Sequence, residues 1–194
     1  MANSIAHIAA PLPRLFAPAR RRTTLWALAI ATVALGLAAL PSLGTMEDNG
    51  VGIIELEFTR TAAKAEQHYA DLGPDGRSAA RTSLLLDYPY LVAYGLFLAG
   101  ACVAVAARAR RAGRPRLAAI GAPLAWGALG AAACDAIENG MLLLILGGHT
   151  GQPWPALAFG FASVKFALAA AASLYAIGGW VATIRAGSDA RRVD

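Results

Sequence analysis

Leu117 to Leu146 reads LAAIGAPLAWGALGAAACDAIENGMLLLIL, and it carries no charge before Asp135. A helix needs about 20 mostly apolar residues to cross roughly 30 Å of hydrocarbon, so this stretch is long enough to span a bilayer. It breaks its own pattern once, at D-x-x-E-N, where Asp135, Glu138 and Asn139 fall at i, i+3 and i+4 on one helix face. Charged groups are costly in hydrocarbon. They normally face a bundle interior, find partners and mark a working site.

The same pattern recurs on either side. Thr23 to Met46, Tyr88 to Ala107 and Phe166 to Ile184 hold no charge, and Asp87 and Lys165 stand at the edges of two of these runs. Hydrophobic residues make up 57% of the chain and charged residues 15%, which excludes an ordinary soluble domain. Backbone amides in lipid must be satisfied within the segment, so the runs are expected as helices. They are too long and too uniformly apolar for the alternating strands of a membrane barrel. The expected fold is all-α: an integral membrane four-helix bundle with an amphipathic extracytoplasmic helix in the first outer loop. Residues 1–22 are expected as a basic tail, 23–184 as the membrane domain with an outer loop at 44–83, and 185–194 as a second tail.

The net charge of +5 suggests nucleic acid until it is mapped along the chain. Arg14, Arg20, Arg21 and Arg22 precede the first run, Arg108, Arg110, Arg111, Arg114 and Arg116 lie between the second and third, and Arg185, Arg191 and Arg192 follow the fourth. The loop after the first run holds Glu47, Asp48, Glu55, Glu57, Glu66, Asp71 and Asp75. This asymmetry places both termini in the cytoplasm and the acidic loop outside, as expected of a bacterial inner-membrane protein. The arginines then serve topology and anionic lipid, and no nucleic-acid partner is expected. The first run lacks an A-x-A site at its end (LAALPSLGT) and is expected to stay as a span.

Within the outer loop, Ile54, Phe58, Ala62, Ala65, Tyr69 and Leu72 recur at helical spacings, as for a helix lying on the membrane face or over the bundle mouth. Its start, where Ile54, Leu56 and Phe58 alternate with polar residues, also fits a short strand. The turn Gly73-Pro74-Asp75-Gly76 is expected to end the element. Pro123 and Gly140 are the expected kink points of the third span.

Small residues extend inward from each charge: Ala132, Ala128, Ala125 and Gly121 from Asp135, and Ala169, Ala172, Ala176 and Gly179 from Lys165. Small stripes are where membrane helices touch, so the charges are expected to face inward, in the outer half of the bilayer. Asp87, Tyr90 and Tyr94 share a face of the second span and line the same chamber. Lys165 neutralises one acid, Glu138 or Asp135. A carboxyl out of water beside another favours its neutral form, and a neutral and an ionised carboxyl together are the equipment of acid–base work. Asp135 and Glu138 are therefore the candidate acid/base or cation site, with Lys165 tuning them and Asp87, Tyr90, Tyr94 and Asn139 as ligand-binding candidates. Two blander readings remain open: D-x-x-E-N with Lys165 as interhelical glue, and Asp87 as a helix cap beside Pro89.

No metal is expected, because His68 and His149 lack a third ligand and Cys102 and Cys134 have no ligand spacing. No cofactor motif is present. The stretches LDYPYLVAYG (86–95) and CDAIENGMLLL (134–144) resemble a family of small bacterial four-span proteins of uncharacterised function, which implies a membrane location. A looser likeness is to the compact bundles of the sterol isomerase and sigma-2 receptor class, where buried acids meet cationic ligands. This chain has no histidine within its spans to match them, and that activity is not carried over. The leading expectation is a site that binds or processes a small lipophilic or cationic ligand. The alternatives are an accessory or assembly protein whose cluster is structural, and a proton-coupled transporter acting as a homo-oligomer.

Overall fold

The computed structural model describes the backbone of residues 9–190 and the side chains of residues 9–184. His7, Arg191 and Arg192 lie outside the described residues. The elements are α1 (Arg21–Asp48), α2 (Ile53–Glu57), α3 (Ala62–Asp71), α4 (Gly73–Arg111), α5 (Pro115–Ala119), α6 (Gly121–Leu146) and α7 (Trp154–Ala190). There is no strand among the described residues. Four helical segments are long and apolar enough to cross a membrane: α1, α4, α5–α6 together, and α7 through Ile184. The chain is built as a multi-pass membrane helix bundle.

The helices α4, α6 and α7 pack on one another, and α1 leans on α4 from outside. The free side of α1 shows why it belongs in lipid. Trp26, Ile30, Val33, Leu37 and Leu40 recur every three or four residues and are each more than half exposed. Such an unbroken apolar stripe is unfavourable in water and is the ordinary lipid-facing surface of a span. The opposite case is the α4–α6 seam. There a Cβ on Gly95 would stand 2.7 Å from the Cβ of Ala132, so only glycine lets these two helices approach as they do. Ala132, Ala128, Ala125 and Gly121 are all buried, the inward small stripe expected from Asp135.

Several boundaries differ from the sequence reading. Gly73-Pro74-Asp75-Gly76 does not end the loop element but opens α4, with proline in its first turn, where no intrahelical N–H is needed. Asp87 therefore lies inside α4 and caps nothing. The stripe from Ile54 to Leu72 forms two helices rather than one. They part at residues 58–61, where the Thr61 hydroxyl accepts the Lys64 N–H at 3.3 Å and starts α3 anew. The start of the loop is helix α2, so the strand alternative falls. The break in the third span comes at Ile120, before Pro123. A proline ring clashes with the carbonyl four residues back, here Ala119, and α5 ends at that residue. The basic tail is in part a packed segment: Phe16 is buried and the Trp126 Nε1–H donates to the Ala9 carbonyl at 2.9 Å.

The interior divides in two. At the loop end, Leu142, Ile145 and Leu146 pack with Met46, Leu56, Leu72 and Leu84. Toward the termini, Cys102, Val105, Ala125, Ala172 and Tyr175 form a second apolar cluster with Phe16. The charged residues lie on the same helices between these two clusters.

Candidate functional site

α6 supplies Asp135, Glu138 and Asn139 from one face, and all three are buried, with Glu138 at 0% exposure. Lys165, on the facing side of α7, is buried as well. Its Nζ lies 3.0 Å from Asp135 Oδ1 and 2.8 Å from Glu138 Oε2. The sequence left open which of these acids the lysine would meet, and it meets both. A third partner arrives from the loop: Glu57 Oε1, at the end of α2, stands 3.2 Å from the same ammonium.

α4 closes the other side. The Tyr94 hydroxyl donates to Asp135 Oδ2 at 2.8 Å, so Asp135 holds lysine with one oxygen and tyrosine with the other. Asn139 Nδ2 donates to Asp87 Oδ2 at 2.7 Å, tying α6 to α4 one turn further toward the loop. Tyr90 packs its ring 5.4 Å from that of Tyr94. All seven candidate residues thus fall in one neighbourhood, where Tyr90 is a packing partner of Tyr94.

The residue that sequence reasoning missed is Glu57, which was counted among the solvent-facing acids of the outer loop. Its signal was faint: Ile53 and Glu57 share a face at i and i+4, but Glu55 is an equally plausible acid in the string IIELE. α2 is held down by aromatic contacts. Phe58 stacks on Phe166 at 5.6 Å and meets Phe159 edge-on at 5.9 Å, both on α7, and the Arg60 guanidinium sits 5.3 Å above the Phe159 ring.

The charges do not balance. Glu57, Asp135 and Glu138 converge on one ammonium with Asp87 close by on Asn139, and two buried oxygens, Glu57 Oε2 and Glu138 Oε1, have no hydrogen-bond partner. Glu138 Oε2 has Nζ at 2.8 Å as an ion-pair partner and Oε1 has no partner at all, so Glu138 is the least satisfied of the set. Buried polar atoms are normally paired, and an orphaned acceptor costs free energy. Burial raises the affinity of the Glu57 carboxyl for its proton, against the opposing pull of Lys165. The arrangement can accept donors: protons, or the N–H groups of a cation.

The remaining candidates do not join the site. His68 is buried under the loop with its Nδ1 unpartnered, while His149 is exposed near the Leu144 carbonyl. Among the described residues no group of three His, Cys, Asp or Glu side chains could hold a metal ion. Cys102 and Cys134 are free thiols, the former buried against the Ala172 carbonyl. Comparison with protein-family models, with curated proteins and with solved structures finds no match for this chain.

Proposed function

We propose that this protein binds a small lipophilic cation in the chamber formed by Glu57, Asp135, Glu138 and Lys165, with α2 as its cover. One observation carries the reading: Glu138 Oε1 and Glu57 Oε2 are buried acceptors without donors, in a cluster with a surplus of acids. A protonated amine supplies both missing things, positive charge and N–H donors, whereas a neutral lipid supplies neither. Tyr94 and Asn139 orient Asp135 and Asp87 from the α4 side. Asp135 and Glu138 also have the equipment to move a proton on a bound molecule. The membrane in question is a bacterial inner membrane, with the arginine-rich ends in the cytoplasm, the cluster in the outer half of the bilayer, and α2 and α3 as an amphipathic cover on the outer face.

The test is ligand-induced stabilisation in neutral detergent. Hydrophobic tertiary amines should raise the melting temperature, while their carbon isosteres should not, and Glu138→Gln should abolish the shift. Equal shifts from amine and isostere would sink the cation site.

A second reading has its own support. Lys165 joins α7 to α6 and α2, and the Tyr94 and Asn139 hydrogen bonds join α4 to α6. A cluster that only holds helices together would look the same in these bonds. It would leave the two orphaned oxygens unexplained, and no amine would stabilise it.

A further inference from the structure

A second feature lies at the opposite end of the bundle and owes nothing to the acid cluster. α1 and α7 both pack on α4 and leave a groove between them, with adjoining cavities of about 660 and about 540 Å³. Both volumes fall in the roughly 300–1,000 Å³ range of ligand sites. The floor is one face of α4, where Phe97, Ala101, Ala104, Arg108 and Arg111 recur at spacings of four and three. Leu25, Trp26 and Ala29 form the α1 wall, and Ala176, Ile177 and Trp180 the α7 wall.

The groove changes character along its length. Its inner part is apolar. Its mouth, at the arginine-rich end of the bundle, gathers Arg21, Arg22, Arg108 and Arg111, and among the described residues none of them forms an ion pair. Two are held in place: Arg108 donates through Nε to Thr183 Oγ1 at 3.1 Å and lies 4.9 Å over the Trp180 ring, and Arg21 donates through Nε to the Phe16 carbonyl at 3.1 Å. Each has further N–H groups that no other described side chain takes up. Arg22 and Arg111 are exposed. Four cations drawn together, with no acid paired to them among the described residues, favour an anion between them. From Arg108 to Phe97 is about 16 Å at 1.5 Å per residue, close to half the roughly 30 Å hydrocarbon thickness. A ligand matching both parts has an anionic head and a tail one leaflet long.

We infer that this groove is a binding site for an anionic phospholipid, its phosphate held by Arg22, Arg108 and Arg111 and one acyl chain lying along α4 between α1 and α7. Guanidinium groups hold phosphate oxygens in paired hydrogen bonds, and basic pockets between membrane helices select such headgroups. Trp26 and Trp180 flank the chain at the depth of the interface.

The experiment reads those two tryptophans. The full-length protein, with Trp126→Phe and Trp154→Phe so that Trp26 and Trp180 are its reporters, is reconstituted in phosphatidylcholine vesicles containing a low fraction of phosphatidylglycerol with brominated chains. The reciprocal sample carries brominated phosphatidylcholine at the same fraction. Brominated phosphatidylglycerol should be roughly tenfold more effective as a quencher. Arg22→Gln with Arg111→Gln should bring the two lipids close to parity. Ala104→Phe, which obstructs the floor without touching charge, should also remove the preference. If that variant fails to fold, Ala29→Phe obstructs the groove from α1. Added inorganic phosphate should not relieve the quenching. Parity in the two-tryptophan protein with its arginines and groove intact overturns the proposal. So does a preference that survives both obstructions, which would mark diffuse surface charge, or relief by phosphate, which would mark a site for the anion alone.

Discussion

Lys165 holds Glu57, Asp135 and Glu138 within 3.2 Å of one nitrogen, and its removal strands three carboxyls at once. Breaking a buried ion pair from one side typically costs about 3–5 kcal/mol. Lys165→Ala should therefore lower the melting temperature strongly in detergent, and adding Glu138→Gln should restore part of the loss by removing the least satisfied acid. A Lys165→Ala variant that melts like wild type would mean the lysine is solvated. Glu57 gives a second, pH-resolved test. Burial holds its carboxyl above the usual glutamate range despite Lys165. The folded protein then binds that proton more tightly than the unfolded chain, so this residue's contribution falls as pH rises above the ordinary glutamate pKa of about 4.3. Glu57→Gln removes the penalty, and the melting temperature of the variant minus that of wild type should increase from pH 4 to pH 8. A difference that decreases would show Glu57 acting mainly as an ion-pair partner of Lys165. Asp135, Glu138 and Lys165 were legible as a cluster because each interrupts an apolar run. Glu57 was not, because in a loop rich in acids nothing local distinguishes the one that turns inward.

The elements divide in the same way. The third span and its inward alanine stripe follow from spacing alone, because small residues at helical intervals in an apolar run have only one economical use, contact with another helix. The loop followed less well: its apolar spacing implied one helix, whereas Thr61 caps a second and Gly73 opens α4 instead of closing the loop. What places α2 over the site is a contact between distant segments, Phe58 against Phe159 and Phe166. Phe58→Ser should loosen this cover. Only two lysines exist to report it, Lys64 exposed and Lys165 buried. With a small amine-modifying reagent, Lys64 should be the one lysine labelled in wild type, and Phe58→Ser should add Lys165. Labelling of Lys165 already in wild type, or at neither protein's site, would count against α2 as the cover.

For the whole molecule, the prediction concerns sidedness. Ser78 lies in the first turns of α4 and Ala112 just beyond its far end, so the helix places them at opposite ends of the bundle. In a background with Cys102→Ala and Cys134→Ala, a cysteine at 78 should react with an impermeant thiol reagent on intact cells and one at 112 should not, as the arginine distribution requires. The reverse pattern would invert the topology and move the acid cluster toward the cytoplasm. Composition and the length of four uncharged runs were enough, by themselves, to determine a helical membrane bundle, since the bilayer imposes length, apolarity and internally satisfied amides on every span. They also marked Asp87, Asp135, Glu138 and Lys165, because a charge in such a run stands out against its neighbours. Only the tertiary structure decided that one lysine serves three acids, that Tyr94 and Asn139 tie α4 to α6, and that α2 folds back to add Glu57. Those facts depend on distances between segments far apart in the chain. Local periodicity carries the direction in which a side chain points, but not the partner it meets there.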